Sequence, residues 1–268
     1  MFSTVLYFNI IFLTIQLLML IIFTIYKNKI NFNFFLFFSF TYLFLIFTNL
    51  LSFYYFYNNK EYLYLSLNIN LFFKFIYFNI FKIKIGFLQI YFIFIVTLIS
   101  FFANILCFFY LNDDKKKKKF FLFLNFFTFS MILFILQDCV FLLILSWEFL
   151  GLTSFFLINH YENTKSLKSS MSAFFFNRLS DIPIFILSII FLVFYNQQNL
   201  TDLNIFFLKK CIIICITTAS FFKSAIIFFK WLPDSMEAPL PASALIHSAT
   251  LVSAGIYLTI RYNNIYNN

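Results

Sequence analysis

Charge is what this 268-residue chain has least of. Asp, Glu, Lys and Arg make up 11 % of its residues, while 63 % are hydrophobic. A soluble domain carries about twice that share of charge. The deficit therefore excludes an ordinary soluble domain. Regularly alternating segments of about 10 residues are also missing, which excludes a transmembrane barrel. No basic run precedes the first apolar stretch, which is too long for a secretory signal and is followed by further spans. Histidine occurs twice and cysteine four times, at Cys107, Cys139, Cys211 and Cys215. Cys211 and Cys215 are four apart on one helix face, a spacing that could suit a metal. No further Cys or His follows at ligand spacing, so they read as buried thiols and no metal site is expected. Glycine occurs three times, against 49 phenylalanines and many Ile, Asn, Tyr and Lys. That bias matches amino acids with AT-rich codons and points to an AT-rich, organellar genome. An aromatic stripe consequently carries no mechanistic meaning here.

What is present is a series of apolar runs near the ~20 residues that cross ~30 Å of hydrocarbon. Eight spans are expected: Val5 to Tyr26, Phe32 to Tyr57, Leu88 to Leu111, Phe120 to Leu136, Cys139 to Ile158, Ser169 to Tyr195, Leu208 to Trp231 and Pro241 to Arg261. The stretch from Asn58 to Gly86 interrupts its apolar residues with Asn68, Asn70, Lys74, Asn79, Lys82 and Lys84, and "NIFKIKIG" alternates like a strand. It reads as an extramembrane loop containing β structure. The formal charge of +9 would invite a nucleic acid in a soluble protein, but here most lysines lie in short loops and report topology. Lys27, Lys29, Lys115 to Lys119, Lys165 and Lys168 fall on one side, which is the positive-inside compartment. The N-terminus is then expected on the other.

Besides Lys209, Lys210 and Arg261 at span boundaries, six ionisable residues lie inside predicted spans: Glu148, Arg178, Asp181, Lys223, Lys230 and His247. A charge at the bilayer centre costs about 2.5–3.5 kcal/mol, against a gain of about 0.3–0.6 for each Leu, Ile or Phe. Such residues usually face the bundle interior, pair, and mark ion or proton routes. Arg178 and Asp181 are three apart and can pair on one face. Lys223 and Lys230 are seven apart, also on one face, and need anionic partners from elsewhere. Glu148 is the natural partner for Lys223. Ser243 is four before His247, which predicts a hydroxyl beside the imidazole. Plainer readings stand beside these. Arg178 with Asp181 fits a purely structural pair, Lys230 beside Trp231 fits a snorkelling lysine, and His160 fits a solvated loop.

The motifs "SWEFLGLTSFFLI", "SAFFFNRLSDIPIFIL", "FFKSA" and "WLPDSMEAPLPASALIHSATLVSAGIYL" resemble the antiporter-like subunits of respiratory complex I, those of the subunit-5 type most closely. The resemblance covers roughly residues 81 to 262. It implies an all-α, integral membrane fold of about eight helices. Residues 1–111 would hold the first three helices and the 58–86 loop. Residues 112–268 would form a five-helix antiporter-like repeat carrying one half-channel, with its seventh helix a candidate for a break. In the family that break carries Pro or Gly, whereas "SAIIFFK" has neither.

The resemblance further implies proton transfer through Glu148, Lys223 and His247, with Arg178 and Asp181 at a subunit contact; Lys230, which has no counterpart in the family, and Ser243 are candidates along the route from their own placement in the spans. No cofactor is expected in this chain; FMN, iron–sulfur clusters and ubiquinone would belong to the parent complex, in the mitochondrial inner membrane. The partners implied are lipid, the other membrane-arm subunits, and a separate polypeptide carrying the second half of the subunit, since the chain stops after the eighth span. Nucleic acid is not among them. Two other readings share these residues: a subunit of a multi-subunit cation/proton antiporter, and a structural membrane subunit without a channel.

Overall fold

The computed structural model describes residues 41–52, 63–67, 81–111, 114, 116–195, 202–226 and 229–262. Helix α1 is described over Thr41–Ser52. Strands β1 (Leu63–Leu67) and β2 (Phe81–Ile85) follow, then α2 (Phe87–Tyr110), α3 (Lys117–Leu136) and α4 (Val140–Ile158), which ends in a 3-10 turn over Asn159–Tyr161. Next come α5 (Thr164–Tyr195), α6 (Asp202–Lys223), the four-residue α7 (Trp231–Asp234), a 3-10 turn (Ser235–Glu237), α8 (Leu240–Leu245), a π turn (Ile246–Thr250) and α9 (Leu251–Arg261). Among the described residues, five helical stretches are long and apolar enough to cross a membrane: Phe87–Tyr110, Lys117–Leu136, Val140–Tyr161, Thr164–Ile190 and Leu240–Arg261. The fold is an all-α integral membrane bundle with one small β element.

That β element is the expected one. β1 and β2 pair antiparallel, with Leu63 opposite Ile85 and Ser66 opposite Lys82. The helices form because hydrocarbon cannot hydrogen-bond a backbone, so each span must satisfy its own amides and carbonyls. Around the bundle α3 packs on α4, α4 on α5, α5 on α6 and α6 on α9, while α2 covers α3 and α8. On α2 the buried face is marked by Ile93, Val96, Ser100, Ala103, Asn104 and Cys107, every three or four residues. Small and polar residues on such a face allow close approach and bonds between helices. Asn104 and Asn125 exchange amide contacts at 3.3–3.4 Å, and Tyr42 of α1 donates to Asn125 Oδ1 at 2.9 Å.

The two ends of the bundle carry separate polar clasps. At one end Lys116 pairs with Glu162 at 2.5 Å, and His160 lies 3.7 Å from Asp114. At the other, the Tyr257 hydroxyl donates to the Ile135 carbonyl at 2.6 Å, and Arg261 reaches the same carbonyl and Asp138 Oδ1, each at 3.2 Å.

Several expectations change. The span from Val5 to Tyr26 and most of the next lie outside the described residues, as does most of the 58–86 loop. Lys165 and Lys168 are not in a loop but on the first turns of α5, which starts at Thr164. At ~1.5 Å per residue its 32 residues outrun the ~30 Å core, leaving those turns outside the hydrocarbon. His160 is not solvated either: its side chain is 7 % exposed and its ring meets Phe120 edge-on at 4.8 Å. The seventh span is not one helix to Trp231, since α6 stops at Lys223.

Candidate functional site

The stop at Lys223 is built from the backbone. Ala225 has φ 57°, in the left-handed region. The amide of Ile226 reaches back to the Phe221 carbonyl at 3.3 Å, and that of Ser224 to the Ser220 carbonyl at 2.8 Å. This is the six-to-one closure of a Schellman cap, with Ala225 at the position usually held by glycine. A non-glycine residue there costs roughly 1–2 kcal/mol. It is tolerated because α9 holds the end of α6 in place. A Cβ on Gly255 would stand 2.8 Å from the Ser220 carbonyl oxygen and 3.0 Å from Ser224 Cβ, so only a bare backbone fits. The break therefore exists without Pro or Gly in the breaking segment. It also separates Lys223 from Lys230, which is exposed at the start of α7 and does not share a helix face with Lys223.

Lys223 is fully buried, at 0 % exposure. Its Nζ donates to the Trp147 carbonyl at 3.2 Å and lies 4.5 Å above the Trp147 ring. A cation at a helix C-terminus is favoured by the carbonyls left unpaired there, and the indole face adds a cation–π contact. Gly151 lies one turn further along α4. A Cβ there would sit 3.9 Å from Nζ and 3.6 Å from Asn177 Cβ, so the ammonium lies against the α4 backbone where α5 crosses it.

Glu148, the next residue on α4, does not pair directly with Lys223. Its Oε2 accepts Arg178 Nη1 of α5 at 2.5 Å, and its Oε1 is buried without a hydrogen-bond partner among the described residues. The same Nη1 lies 3.3 Å from Asp181 Oδ2. Arg178 thus bridges two carboxylates, and its guanidinium rests 4.8 Å from the Phe174 ring centre. The expected Arg178–Asp181 pair is present, but Glu148 belongs to it. The expected Glu148–Lys223 contact is replaced by proximity without a bond. The physical reason is reach: Arg178 extends from a helix that packs on α4 and offers a planar fork of five donors, where Lys223 offers one point charge.

His247 lies on the π turn, half-buried. Its Nε2 is 3.2 Å from the Ser235 hydroxyl, and its Nδ1 is buried without a partner among the described residues. Ser243 is not beside the imidazole. Its hydroxyl donates to the Leu240 carbonyl at 3.1 Å. The π turn opens at Ile246 and breaks the 3.6-residue repeat that would have aligned Ser243 with His247. No hydrogen bond among the described residues links His247 to Lys223, so the structure groups Glu148, Arg178, Asp181 and Lys223 and leaves His247 a separate station.

Three contributors escaped the sequence reading. The Trp147 carbonyl is a backbone atom and has no sequence signal. Asn177 is buried, donates to Ser154 Oγ at 3.3 Å and keeps Oδ1 without a partner among the described residues. Ser235 sits inside the quoted motif as an unremarkable serine. For Asn177 the available signal was its place beside Arg178 in an apolar helix. Among the described residues no cluster of His, Cys, Asp and Glu is arranged to hold a metal; Cys215 is buried and Cys211 half-buried.

Residues 138–268 match the family described as "NADH:quinone oxidoreductase/Mrp antiporter, TM". The chain is similar to NADH-ubiquinone oxidoreductase chain 5 of Paramecium tetraurelia, 42 % identical in an alignment of 158 residues that covers 52 % of this chain and 27 % of that protein. It is 33 % identical to the chain 5 of Caenorhabditis elegans over 185 residues, covering 69 % of this chain and 34 % of that one. The chain 5 of Anopheles quadriannulatus is 34 % identical over 181 residues, 64 % of this chain and 65 % of that sequence. The chain thus spans about a quarter of the length of the Paramecium relative. Among solved structures, the Mrp complex from Dietzia sp. DQ12-45-1b aligns with a TM-score of 0.62 at 23 % identity, over 83 % of this chain and 25 % of its own. The archaeal membrane-bound sulfane sulfur reductase aligns with a TM-score of 0.72 at 15 % identity, over 97 % and 53 %. Both show the fold alone. The resemblance to antiporter-like subunit 5 read from the motifs is supported by the family match and by the curated relatives.

Proposed function

We propose that this chain, similar along residues 138–268 to the antiporter-like subunits of complex I, is a proton-translocating membrane-arm subunit of an NADH:ubiquinone oxidoreductase. In this reading α3 to α9 form one antiporter-like repeat with one half-channel. Glu148, Lys223 and His247 hold and pass protons. Arg178 and Asp181 set the field around Glu148 and face a neighbouring subunit, and Lys230 and Ser243 lie toward the ends of the route. The chain contributes to an oxidoreductase without a redox site of its own. FMN, iron–sulfur clusters and ubiquinone belong to other subunits, and the location is the mitochondrial inner membrane. Its partners are the other membrane-arm subunits, surrounding lipid, and a polypeptide carrying the helices that correspond to the rest of the longer relatives.

One observation carries this reading: a lysine with no exposed surface, at the end of a helix interrupted inside the bundle, beside two carboxylates already bound by an arginine. A buried ammonium held by one carbonyl and one ring face has few partners to lose when it gives up its proton. A carboxylate with one oxygen unpartnered can accept one. Discontinuous helices are where transporters place such groups. Coupling is then electrostatic, since a change of charge at one station alters the proton affinity of the next.

Lys223→Met in the assembled complex tests this. Methionine keeps most of the side-chain volume and cannot be protonated. The expected outcome is a lower ratio of protons moved to NADH oxidised in sealed vesicles, with quinone reduction retained when an uncoupler is present. An unchanged ratio sinks the reading. The antiporter alternative is favoured by the shared family description and fold. Co-purification with flavin and iron–sulfur proteins separates the two.

A further inference from the structure

The Ser235–His247 contact carries more than a hydrogen bond. A serine hydroxyl brings one proton and two lone pairs, and a neutral imidazole brings one N–H and one lone pair. The Ser235 hydroxyl donates its single proton to the Leu232 carbonyl at 2.6 Å. Its other contact is His247 Nε2, at 3.2 Å. Ser235 is fully buried, so water does not compete for either lone pair. With its proton committed, the oxygen can only accept from the ring.

We propose that Ser235 is a positioning residue that fixes His247 in the tautomer protonated at Nε2, leaving the lone pair at Nδ1. The inference deepens the proton-carrying role proposed for His247 and rests on that reading for its consequence, though not for its test. Nδ1 is the buried ring nitrogen without a partner among the described residues. A proton arriving at the ring binds there and gives an imidazolium whose Nε2–H still points at Ser235. The Ser235 hydroxyl cannot relay that second proton onward, because its own proton rests on a carbonyl that does not take it up. The proton that enters at Nδ1 therefore leaves from Nδ1. His247 acts as a one-sided store, loaded and unloaded through the same atom, with Ser235 as a stop behind it. The π turn is part of the device, since it displaces Ser243 from the imidazole and presents the ring to the 3-10 turn that carries Ser235.

The test is a nitrogen NMR spectrum of the full chain in lipid bilayers, labelled with 15N at histidine, at a pH high enough for the ring to be neutral. His160→Gln assigns the second histidine. The expected spectrum shows His247 with a protonated Nε2 and a bare Nδ1. In Ser235→Ala the preference for Nε2–H should fall by about two- to tenfold, the worth of one neutral hydrogen bond. Ser235→Thr, which keeps the hydroxyl, should restore it. A wild-type ring protonated at Nδ1, a ring doubly protonated throughout, or an unchanged preference in Ser235→Ala overturns the proposal. If Ser235→Ala does not fold, the wild-type spectrum still decides the tautomer, and Ser235→Thr against Ser235→Cys decides the role of the hydroxyl. None of these readings depends on proton pumping, so loss of pumping in a His247 variant is judged separately.

Discussion

At the residue scale the decisive contact is between Arg178 and Glu148, and it was only half legible. Glu148, Arg178, Asp181 and Lys223 lie in apolar helices, and the cost of burying them predicts that they face the bundle interior and find polar partners. Which of them meet depends on how α4, α5 and α6 are rotated about their axes, and single-helix spacing does not contain that. The i,i+3 pair of Arg178 and Asp181 was readable because it lies within one helix; the link from Arg178 to Glu148 was not. Arg178 is 41 % exposed, so part of its charge remains accessible in this chain and its removal is milder than for a fully buried ion. Arg178→Gln should lower stability by about 1–3 kcal/mol, the range for hydrogen bonds to charged groups, read by denaturant unfolding in detergent. Combining it with Glu148→Gln should cost less than the sum, since the carboxylate left bare is then gone. Strict additivity would show that the 2.5 Å pair contributes nothing.

Outside the membrane the same chemistry becomes a pH response. Glu162 accepts from Lys116, whose hydrogen bond and charge hold its carboxyl below the usual carboxylate range. A depressed acid contributes stability that is complete above its unfolded pKa of ~4.3 and is lost as pH falls through the lower folded value. Acidification through the carboxylate range should therefore speed amide hydrogen exchange around residues 159–163, once the intrinsic pH dependence of exchange is subtracted. Glu162→Gln should remove that response at no cost elsewhere. A response that persists in Glu162→Gln would assign it to another group.

At the element scale the helices and the β pair follow from composition and period, while the interruptions do not. "NIFKIKIG" alternates, and β2 forms there. Apolar runs of span length became α2, α3, α4 and α5 within a few residues of the expected bounds. The end of α6 was hidden because a Schellman cap normally declares itself by glycine, and here Ala225 takes the left-handed position. The π turn was hidden because "IHSAT" holds no breaker and the extra residue is a matter of backbone accommodation. Both interruptions lean on α9, and Gly255→Ala tests that. Its new Cβ would meet the Ser220 carbonyl at 2.8 Å, a backbone atom that cannot swing aside. α9 must shift, at a cost of about 1–3 kcal/mol typical of overpacking. Ala225→Gly should act in the opposite direction. It relieves roughly 1–2 kcal/mol of left-handed strain and gives back about 0.4–1 kcal/mol through the freer unfolded chain. The net is a small gain in midpoint denaturant concentration. A loss on Ala225→Gly would mean that the alanine methyl, buried in this structure, contributes more packing than strain.

At the scale of the whole molecule the two clasps tell one end of the bundle from the other. Lys116 and Glu162 bind the start of α3 to the end of α4, beside the basic run and near Lys165 and Lys168. Arg261 and Asp138 bind the end of α9 to the turn between α3 and α4. Since α3 and α4 run in opposite directions between these clasps, the clasps lie on opposite membrane faces. Short lysine-rich segments face the positive-inside compartment, which predicts the Lys116–Glu162 end there and the Asp138–Arg261 end across the bilayer. Two thiols report on this. Cys139 is native and half-buried beside Asp138. Asn163→Cys would place a second at the exposed turn before α5. A membrane-impermeant maleimide added to sealed, oriented vesicles should label Asn163→Cys from the positive-inside face alone. It should label Cys139 from the opposite face alone, with Cys139→Ser as the blank. Labelling of both from one face would invert the ion-pair argument, because the two ends of a bundle crossed by α3 and α4 cannot share a compartment. Labelling of each from the face opposite to its prediction would leave the bundle intact and reverse only its insertion, showing that the lysine run does not set the orientation of this chain.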